Sequence, residues 1–357
     1  MSAEDEVRVV MAAAEAGVDP GGAARRAGGA DGLLRASPAR LEALGVVPAY
    51  AEAIRRARSA DVEAYLGGLA ARGIACVPRS DPRYPARLRE LHDPPLAVFL
   101  RSDAAPPPMP DRALAIVGAR RATEPSLALA RRLAAFAAGA GIAVVSGMAL
   151  GVDAAGHLGA LEAGGLTVAV LGSGPDVAYP RTNAGLYGRI VRHGLVISEY
   201  PPGTAPAPWR FPARNRLIAG LADAVLVVEA QARSGALITA DHALDLGRDV
   251  LAVPGRAGSP VAAGTNGLLK AGAGMIEDES DLAAWLGLDP PQAEHAPAGA
   301  EELLAAVAAA PAFAEELAER VRRPAHEIAA ALSRLELDGW VGRDAAGRYL
   351  SVKAGRR

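Results

Sequence analysis

The stretch LAAFAAGAGIAVVSGMALGV, Leu133 to Val152, carries no charge over about the length of a bilayer span, and its reading decides the fold. Gly139, Gly141, Gly147 and Gly151 interrupt it, and large apolar residues are few. It therefore reads as the end of a surface helix, a glycine turn, a buried strand Ile142–Val145 and a loop, not as a transmembrane helix. Similar short runs lie on both sides: Leu114–Val117, Thr167–Leu171, Leu195–Ser198, Ala224–Val228 and Val250–Val253. Runs apolar on both faces, separated by helix-length amphipathic segments, indicate an α/β fold whose parallel sheet is covered on both sides. Most end in small residues, as in Val117-Gly118, Val145-Ser146-Gly147, Leu171-Gly172-Ser173-Gly174 and Val253-Pro254-Gly255. Ligands of open α/β sheets bind beyond the carboxyl ends of the strands, so these residues mark where a ligand belongs.

Around this core the 357 residues allow two or three domains. Residues 1–72 have helical spacing at Leu41, Leu44, Ile54 and Leu66 and breaks at Pro20-Gly21-Gly22 and Gly45, which predicts a small all-α domain. Cys76 to Leu100 holds Pro78, Pro82, Pro85, Pro94 and Pro95, and Pro106-Pro107-Pro108 follows, so a boundary or surface loop and a stiff spacer are expected there. The sheet domain extends over 76–288, and 289–299 is a second Pro-rich linker. Beyond it, in 300–353, helix candidates Glu301–Ala309, Phe313–Arg320 and Pro324–Asp338 precede a short hairpin, the outline of a winged helix.

The 38 basic and 40 acidic residues nearly cancel, and read alone that total argues against a nucleic-acid partner. From Asp111 through Ile276, however, 15 basic residues stand against 11 acidic ones. Lys270 and Lys353 are the only lysines, so phosphate contacts fall to arginine and to backbone N–H groups. A single cysteine, Cys76, excludes an internal disulfide framework and a cysteine-rich zinc site. With an acidic start at Glu4-Asp5-Glu6, where a signal peptide would be basic, a cytoplasmic location is expected.

The common catalytic motifs fail. Neither lysine sits in a Gly-Lys-Ser/Thr loop, and Gly172-Ser173-Gly174 lacks the third glycine of a dinucleotide fingerprint, Val177 standing in its place. The six histidines are dispersed, and no metal site or cofactor is expected. Ser146, Asp153 and His157 could form a nucleophilic set, but no Gly-x-Ser-x-Gly elbow surrounds the serine. The plainer reading has Asp153 capping its helix and His157 paired with it or with backbone.

More specific is Phe211-Pro212-Ala213-Arg214-Asn215-Arg216, two arginines flanking an asparagine at an expected helix start, where the dipole and free N–H groups favour anions. Gly118-Ala119-Arg120-Arg121 and Arg233-Ser234-Gly235 are similar, and three such loops at successive strand ends would converge on one crevice. Tyr179, Tyr187, Tyr200, Trp209 and Phe211 fall in the same region. Core packing suits Tyr187, whereas base stacking and core packing both remain open for the aromatics near Arg210, Arg214 and Arg216.

At these residues the chain closely resembles the DNA-processing protein A family (DprA, also called Smf). The resemblance is carried in order by Tyr84-Pro85, Asp93-Pro94-Pro95, Val117-Gly118-Ala119-Arg120, Ser146 through Asp153 with His157, Tyr179-Pro180, Ser198-Glu199-Tyr200, Phe211 through Arg216, Ser234-Gly235 with Thr239, and Val253-Pro254-Gly255. It implies an extended Rossmann-like sheet that binds single-stranded DNA without known catalysis, protects it in natural transformation, brings it to the RecA recombinase and dimerises through the Rossmann domain. Arg120 is then expected on a backbone phosphate, Ser146-Gly147 and Ser234-Gly235 along the pocket, and Phe211 stacked on a base. Arg214, Asn215 and Arg216 belong at the rim, with internal fastening of the loop as the other role for Asn215 or Arg216. Gly118, Gly172, Ser173, Thr239 and Lys270 complete the expected DNA-binding set.

Three positions depart from the family pattern: Pro125-Ser126 replaces Tyr-Gly, and Leu150 stands where arginine is frequent. The winged helix is open among duplex DNA binding, a protein contact and autoinhibition, because Glu327, Glu336 and Asp338 dilute Arg320, Arg322 and Arg323. The rival reading, a phosphoribohydrolase-like enzyme on a related Rossmann fold, requires a Pro-Gly-Gly-x-Gly-Thr-x-x-Glu loop that Pro254-Gly255-Arg256-Ala257 does not supply.

Overall fold

Six short helices open the chain: α1 (Ala3–Ala16), α2 (Pro20–Arg26), α3 (Ala30–Arg35), α4 (Pro38–Ala43), α5 (Pro48–Ala57) and α6 (Val62–Ala70). Their punctuation is local. Asp19, Ser37 and Asp61 each accept a backbone N–H at a helix start, and a left-handed Gly17 closes α1. The structure, a computed structural model, describes residues 2–103, 110–289, 297, 299–337, 340–344 and 346–351, so the triple proline and most of the second linker lie outside the described residues.

The segment expected to be a boundary loop instead contributes two buried strands, β1 (Ile74–Pro78) and β2 (Ala97–Arg101), paired antiparallel. Their alternation explains why. Val77, Val98 and Leu100 join the core of the main sheet, while Ile74, Cys76, Ala97 and Phe99 pack against the six helices. The prolines sit at the end of β1 or between the strands, where they break no ladder. The helical segment 1–72 therefore shares a core with the sheet and does not stand apart; residues 1–289 form one compact unit. Glu6, fully buried on α1, adds a polar tie by accepting from the Ser80 N–H at 2.8 Å and the Ser80 hydroxyl at 2.7 Å.

From β3 (Ala113–Val117) strands and helices alternate as expected: α7 (Glu124–Gly139), β4 (Ala143–Ser146), α8 (Val152–Glu162), β5 (Thr167–Leu171), α9 (Ala184–His193) and β6 (Leu195–Ser198). There follow α10 (Arg210–Leu221), β7 (Ala224–Val227), α11 (Gly235–Asp245), β8 (Asp249–Ala252), α12 (Ala263–Lys270), β9 (Gly274–Met275) and α13 (Glu279–Leu286). The spatial order is β1-β2-β6-β5-β4-β3-β7-β8-β9, with β3 to β9 mutually parallel and β2 antiparallel to β6. Helices α10 and α11 cover one face, and α7, α8 and α13 the other. The uncharged stretch 133–152 is the end of α7, a turn at left-handed Gly141 and strand β4. No helix among the described residues is long and apolar enough to cross a membrane.

The topology sets up one consequence for the site. Having reached β6, the chain must return across β5, β4 and β3 to start β7, and α10 makes that crossing. Its first turn thereby comes up beside the carboxyl ends of β4 and β5.

Residues 290–357 form a second unit with its own core of Leu303, Val307, Leu317, Ile328, Leu332 and Tyr349. Helices α14 (Glu301–Ala309), α15 (Ala314–Arg320) and α16 (Ala325–Leu337) precede the antiparallel pair β10 (Val341–Arg343) and β11 (Tyr349–Ser351), the winged-helix order expected.

Candidate nucleic-acid interface

The turn after β4 is held from beneath. The Ser146 hydroxyl is fully buried and donates to the Ile116 carbonyl at 2.6 Å, so it fastens β4 to β3 and does not line a pocket as expected. Asp153 accepts from the N–H groups of Gly147 at 3.2 Å and Ala149 at 3.3 Å, closing the turn rather than capping its own helix. Gly151 has φ +79°, and a Cβ there would lie 2.2 Å from the Ala119 carbonyl oxygen, so the turns after β3 and β4 can touch only because it is glycine.

Arg214 supports this turn from α10. It is buried, against the expectation of a place at the rim, and donates to the Gly147 carbonyl at 2.8 Å and to the Val170 carbonyl. Burial pulls its pKa down to about 10, with the Asp153 carboxylate working in the other direction. Burial pushes the Asp153 carboxyl up, opposed by Arg214. His157 pairs with neither Asp153 nor backbone. Its Nδ1 lies 2.7 Å from the Thr167 hydroxyl, which itself donates to the Val144 carbonyl, so Nδ1 carries the proton. Burial lowers the His157 pKa to about 3 and keeps the ring neutral. The catalytic set Ser146, Asp153 and His157 is thus three separate structural contacts.

Above this support lies a pocket of about 110 Å³. Gly147, Ala149 and Leu150 come from the turn after β4, Leu171, Gly172 and Ser173 from the end of β5, and Arg120, Tyr179 and Phe211 from three further segments, with Arg214 beneath. Phe211 sits over Gly172, where a Cβ would come within 2.9 Å of its ring. Tyr179 stacks on Phe211 with centroids 5.3 Å apart and planes 19° from parallel, and the Arg120 guanidinium lies 5.7 Å from the Phe211 centroid. Phe211 is half-buried, while Tyr179 is 41% exposed, so the aromatic face open to a ligand belongs chiefly to Tyr179. Tyr179 is a pocket residue outside the expected set, and its place beside Pro180 in the aromatic cluster is the sequence signal that marks it. Among the described residues Arg120 makes no ion pair, and no acidic residue lines the pocket.

Other expected residues go elsewhere. Arg216 forms a two-pronged ion pair with Glu199 at 2.6 and 2.8 Å and donates to the Asp93 carbonyl, the internal fastening that was one of its two expected roles; the pair keeps it charged despite burial. Asn215 accepts from Arg214 and donates to the Gly235 carbonyl at 3.2 Å, which ties α10 to α11. The Ser173 hydroxyl donates to the Val177 carbonyl. Ser234 caps α11, Thr239 is buried on that helix, and neither they nor Gly235 line the pocket, so the third arginine loop does not join the other two. Gly118 packs against Val152 beneath the turns. Lys270 ends α12 just before the edge strand β9, which β3, β7 and β8 separate from β4 and β5, and it does not line the pocket. At the departure from the family pattern, Pro125 sits in the first turn of α7, and Thr123 and Ser126 donate to Glu229 at 2.7 and 2.8 Å. Leu150, the third departing position, is 42% exposed at the pocket mouth and places an apolar side chain there. Among the described residues no three of His, Cys, Asp and Glu are grouped to hold a metal ion.

Residues 75–287 match the family described as DNA recombination-mediator protein A, and residues 282–347 match the DprA winged helix domain. The chain belongs to the DNA recombination-mediator protein A family. Protein Smf of Escherichia coli K12 is 34% identical over 279 residues, 74% of each chain. The putative DNA processing protein DprA of Mycobacterium tuberculosis H37Rv is 45% identical over 202 residues, 57% of this chain and 52% of that protein, so the chain spans about half the length of that relative. An X-ray structure of DNA processing protein A from Streptococcus pneumoniae superposes with a TM-score of 0.65 at 29% identity, covering 80% of this chain and 98% of that one. A Helicobacter pylori family member, whose structure is described as revealing its single-stranded DNA binding mode, superposes with a TM-score of 0.54 at 30% identity over 60% of this chain and 95% of that one. The first family match runs from the second residue of β1 through α13, and so covers every residue of the pocket.

Proposed function

We propose that this chain binds single-stranded DNA across the carboxyl edge of its sheet, with little preference among bases, protects it, and helps load the RecA recombinase during recombination and transformation. The observation that carries this reading is the pocket in which Arg120, without an ion pair among the described residues, meets the stacked rings of Tyr179 and Phe211 over a backbone of small residues. An arginine supplies the phosphate contact and an exposed ring accepts any base, because every base has a π face. The name given to the Helicobacter pylori relative, as a single-strand binder, points the same way. No catalytic step is assigned: Asp153, the carboxylate under the turn after β4, is spent on two backbone N–H groups, and incubation with purine monophosphates is expected to release no free base.

We further propose that the protein works as a homodimer through its Rossmann domain and that the winged helix contacts a protein. Three of its six described arginines are ion-paired, Arg323 with Glu327, Arg343 with Glu336 and Arg348 with Asp344, and eight acidic residues stand among the described ones, which leaves a weak electrostatic footprint for duplex DNA. Fluorescence anisotropy with labelled single and double strands at two salt concentrations tests the central claim. Single strands of unrelated sequence should bind alike and more tightly than duplex. Equal affinity for duplex, or none for single strands, would remove the proposal. RecA nucleation on a coated single strand, timed with and without the protein, tests the loading step and should show a shortened lag.

A further inference from the structure

We propose that Trp209, braced by Arg210 and Tyr200, forms a second base-stacking shelf that carries a single strand onward from the Phe211 pocket along the start of α10; this rests on the single-strand reading above. Trp209 immediately precedes α10 and is 57% exposed, an indole left in water where burial would have been favourable. It is nevertheless held in place. Its ring meets Tyr200 edge to face, centroids 6.3 Å apart at 88°, and the Arg210 guanidinium lies 5.0 Å from the Trp209 centroid and 4.8 Å from that of Tyr200. Arg210 also donates to the Ala205 carbonyl, which positions the guanidinium without neutralising it.

The arrangement repeats the composition of the neighbouring pocket, one arginine against two aromatic rings, and only Arg210 separates Trp209 from Phe211 in the chain. Local charge favours a polyanion. Pro201 to Pro208 contains no acidic residue; the Asp176 carboxylate is taken by the Gly203 N–H and Arg72, and Glu199 by Arg216. An exposed tryptophan can also anchor a protein partner. Here, however, the exposed ring carries a guanidinium, Arg210, that makes no ion pair among the described residues, and a cation beside an open aromatic face is the chemistry that tracks a nucleic-acid strand.

The test records two signals while the full chain is titrated with a labelled oligothymidylate of about 16 nucleotides. Strand anisotropy reports binding, and tryptophan emission reports the shelf. Emission should quench in step with anisotropy, and the quench should vanish in Trp209→Phe, which still binds. Trp209→Ala should weaken binding roughly 5- to 150-fold, the worth of one stacked base, at every salt concentration. Its salt slope should match the wild type, because no phosphate contact is lost. Wild-type binding with unmoved emission, or an unchanged affinity in Trp209→Ala, overturns the shelf and leaves the single-strand reading intact. Absence of any anisotropy change in the wild type overturns both.

Discussion

Arg214 and Arg120 show how differently two arginines of one site can act. Arg214 is buried on two carbonyl groups with a buried carboxylate nearby, so Arg214→Ala leaves the carbonyls and Asp153 uncompensated and should cost about 3–5 kcal/mol of stability. Arg120 holds no ion pair among the described residues, and Arg120→Ala should stay within about 0.5 kcal/mol of wild type in the same denaturant titration. Similar losses in both would show that Arg214 is not the structural one. His157 offers a pH test. Its folded pKa of about 3 lies below an unfolded value of about 6.5, so above pH ~6.5 neither state is protonated. As pH falls below that, the unfolded chain takes up a proton the folded one cannot, and stability declines by up to about 1.4 kcal/mol per pH unit until about pH 3. The raised Asp153 carboxyl works in the opposite direction, since its folded form protonates first. Comparison with His157→Asn, which keeps a donor for Thr167 but does not titrate, isolates the histidine: the stability drop between pH 7 and 5 should shrink by about 2 kcal/mol. An identical pH dependence in both proteins would refute the assignment.

Among the elements, β1 and β2 carry the largest surprise. One face of this pair completes the sheet's core and the other is covered by α1 to α6, so removing residues 1–72 would expose Ile74, Leu96 and Phe99 together. At roughly 1.5–3 kcal/mol per large apolar side chain, that loss is comparable to the total stability of an ordinary domain, about 5–15 kcal/mol. A fragment of residues 73–289 should therefore aggregate or bind a hydrophobic dye, whereas 1–289 should unfold cooperatively in urea. Cooperative unfolding of the shorter fragment at the same midpoint would contradict the shared core. The β3 to β8 strands were legible because each is a short run apolar on both faces, and their observed limits fall within a residue of the runs read from the chain. β1 and β2 were not, because the prolines around them signal a turn equally well whether the strands are buried or absent.

For the molecule as a whole, the near-neutral total charge conceals the site, and salt dependence should reveal it. Log affinity for single strands should fall linearly with log salt, and Arg120→Ala should flatten the slope by about 0.7, the share of one phosphate contact on a single strand. An unchanged slope would mean that Arg120 touches no phosphate. The sequence by itself determined the alternation of strands and helices, the small residues at the strand ends, the winged-helix order and the family, since these depend on residue type, local period and motif order. Which arginines face a ligand was decided only in three dimensions. Arg120, Arg214 and Arg216 all stand beside small or aromatic residues at strand or helix ends, and nothing local separates them. Arg214 is drawn inward because α10 crosses beneath β4 and β5, bringing it to a carbonyl 67 residues away, and Arg216 because Glu199, just after β6, lies beside it. A contact of that range is a property of the crossing, and the chain's local pattern does not record it.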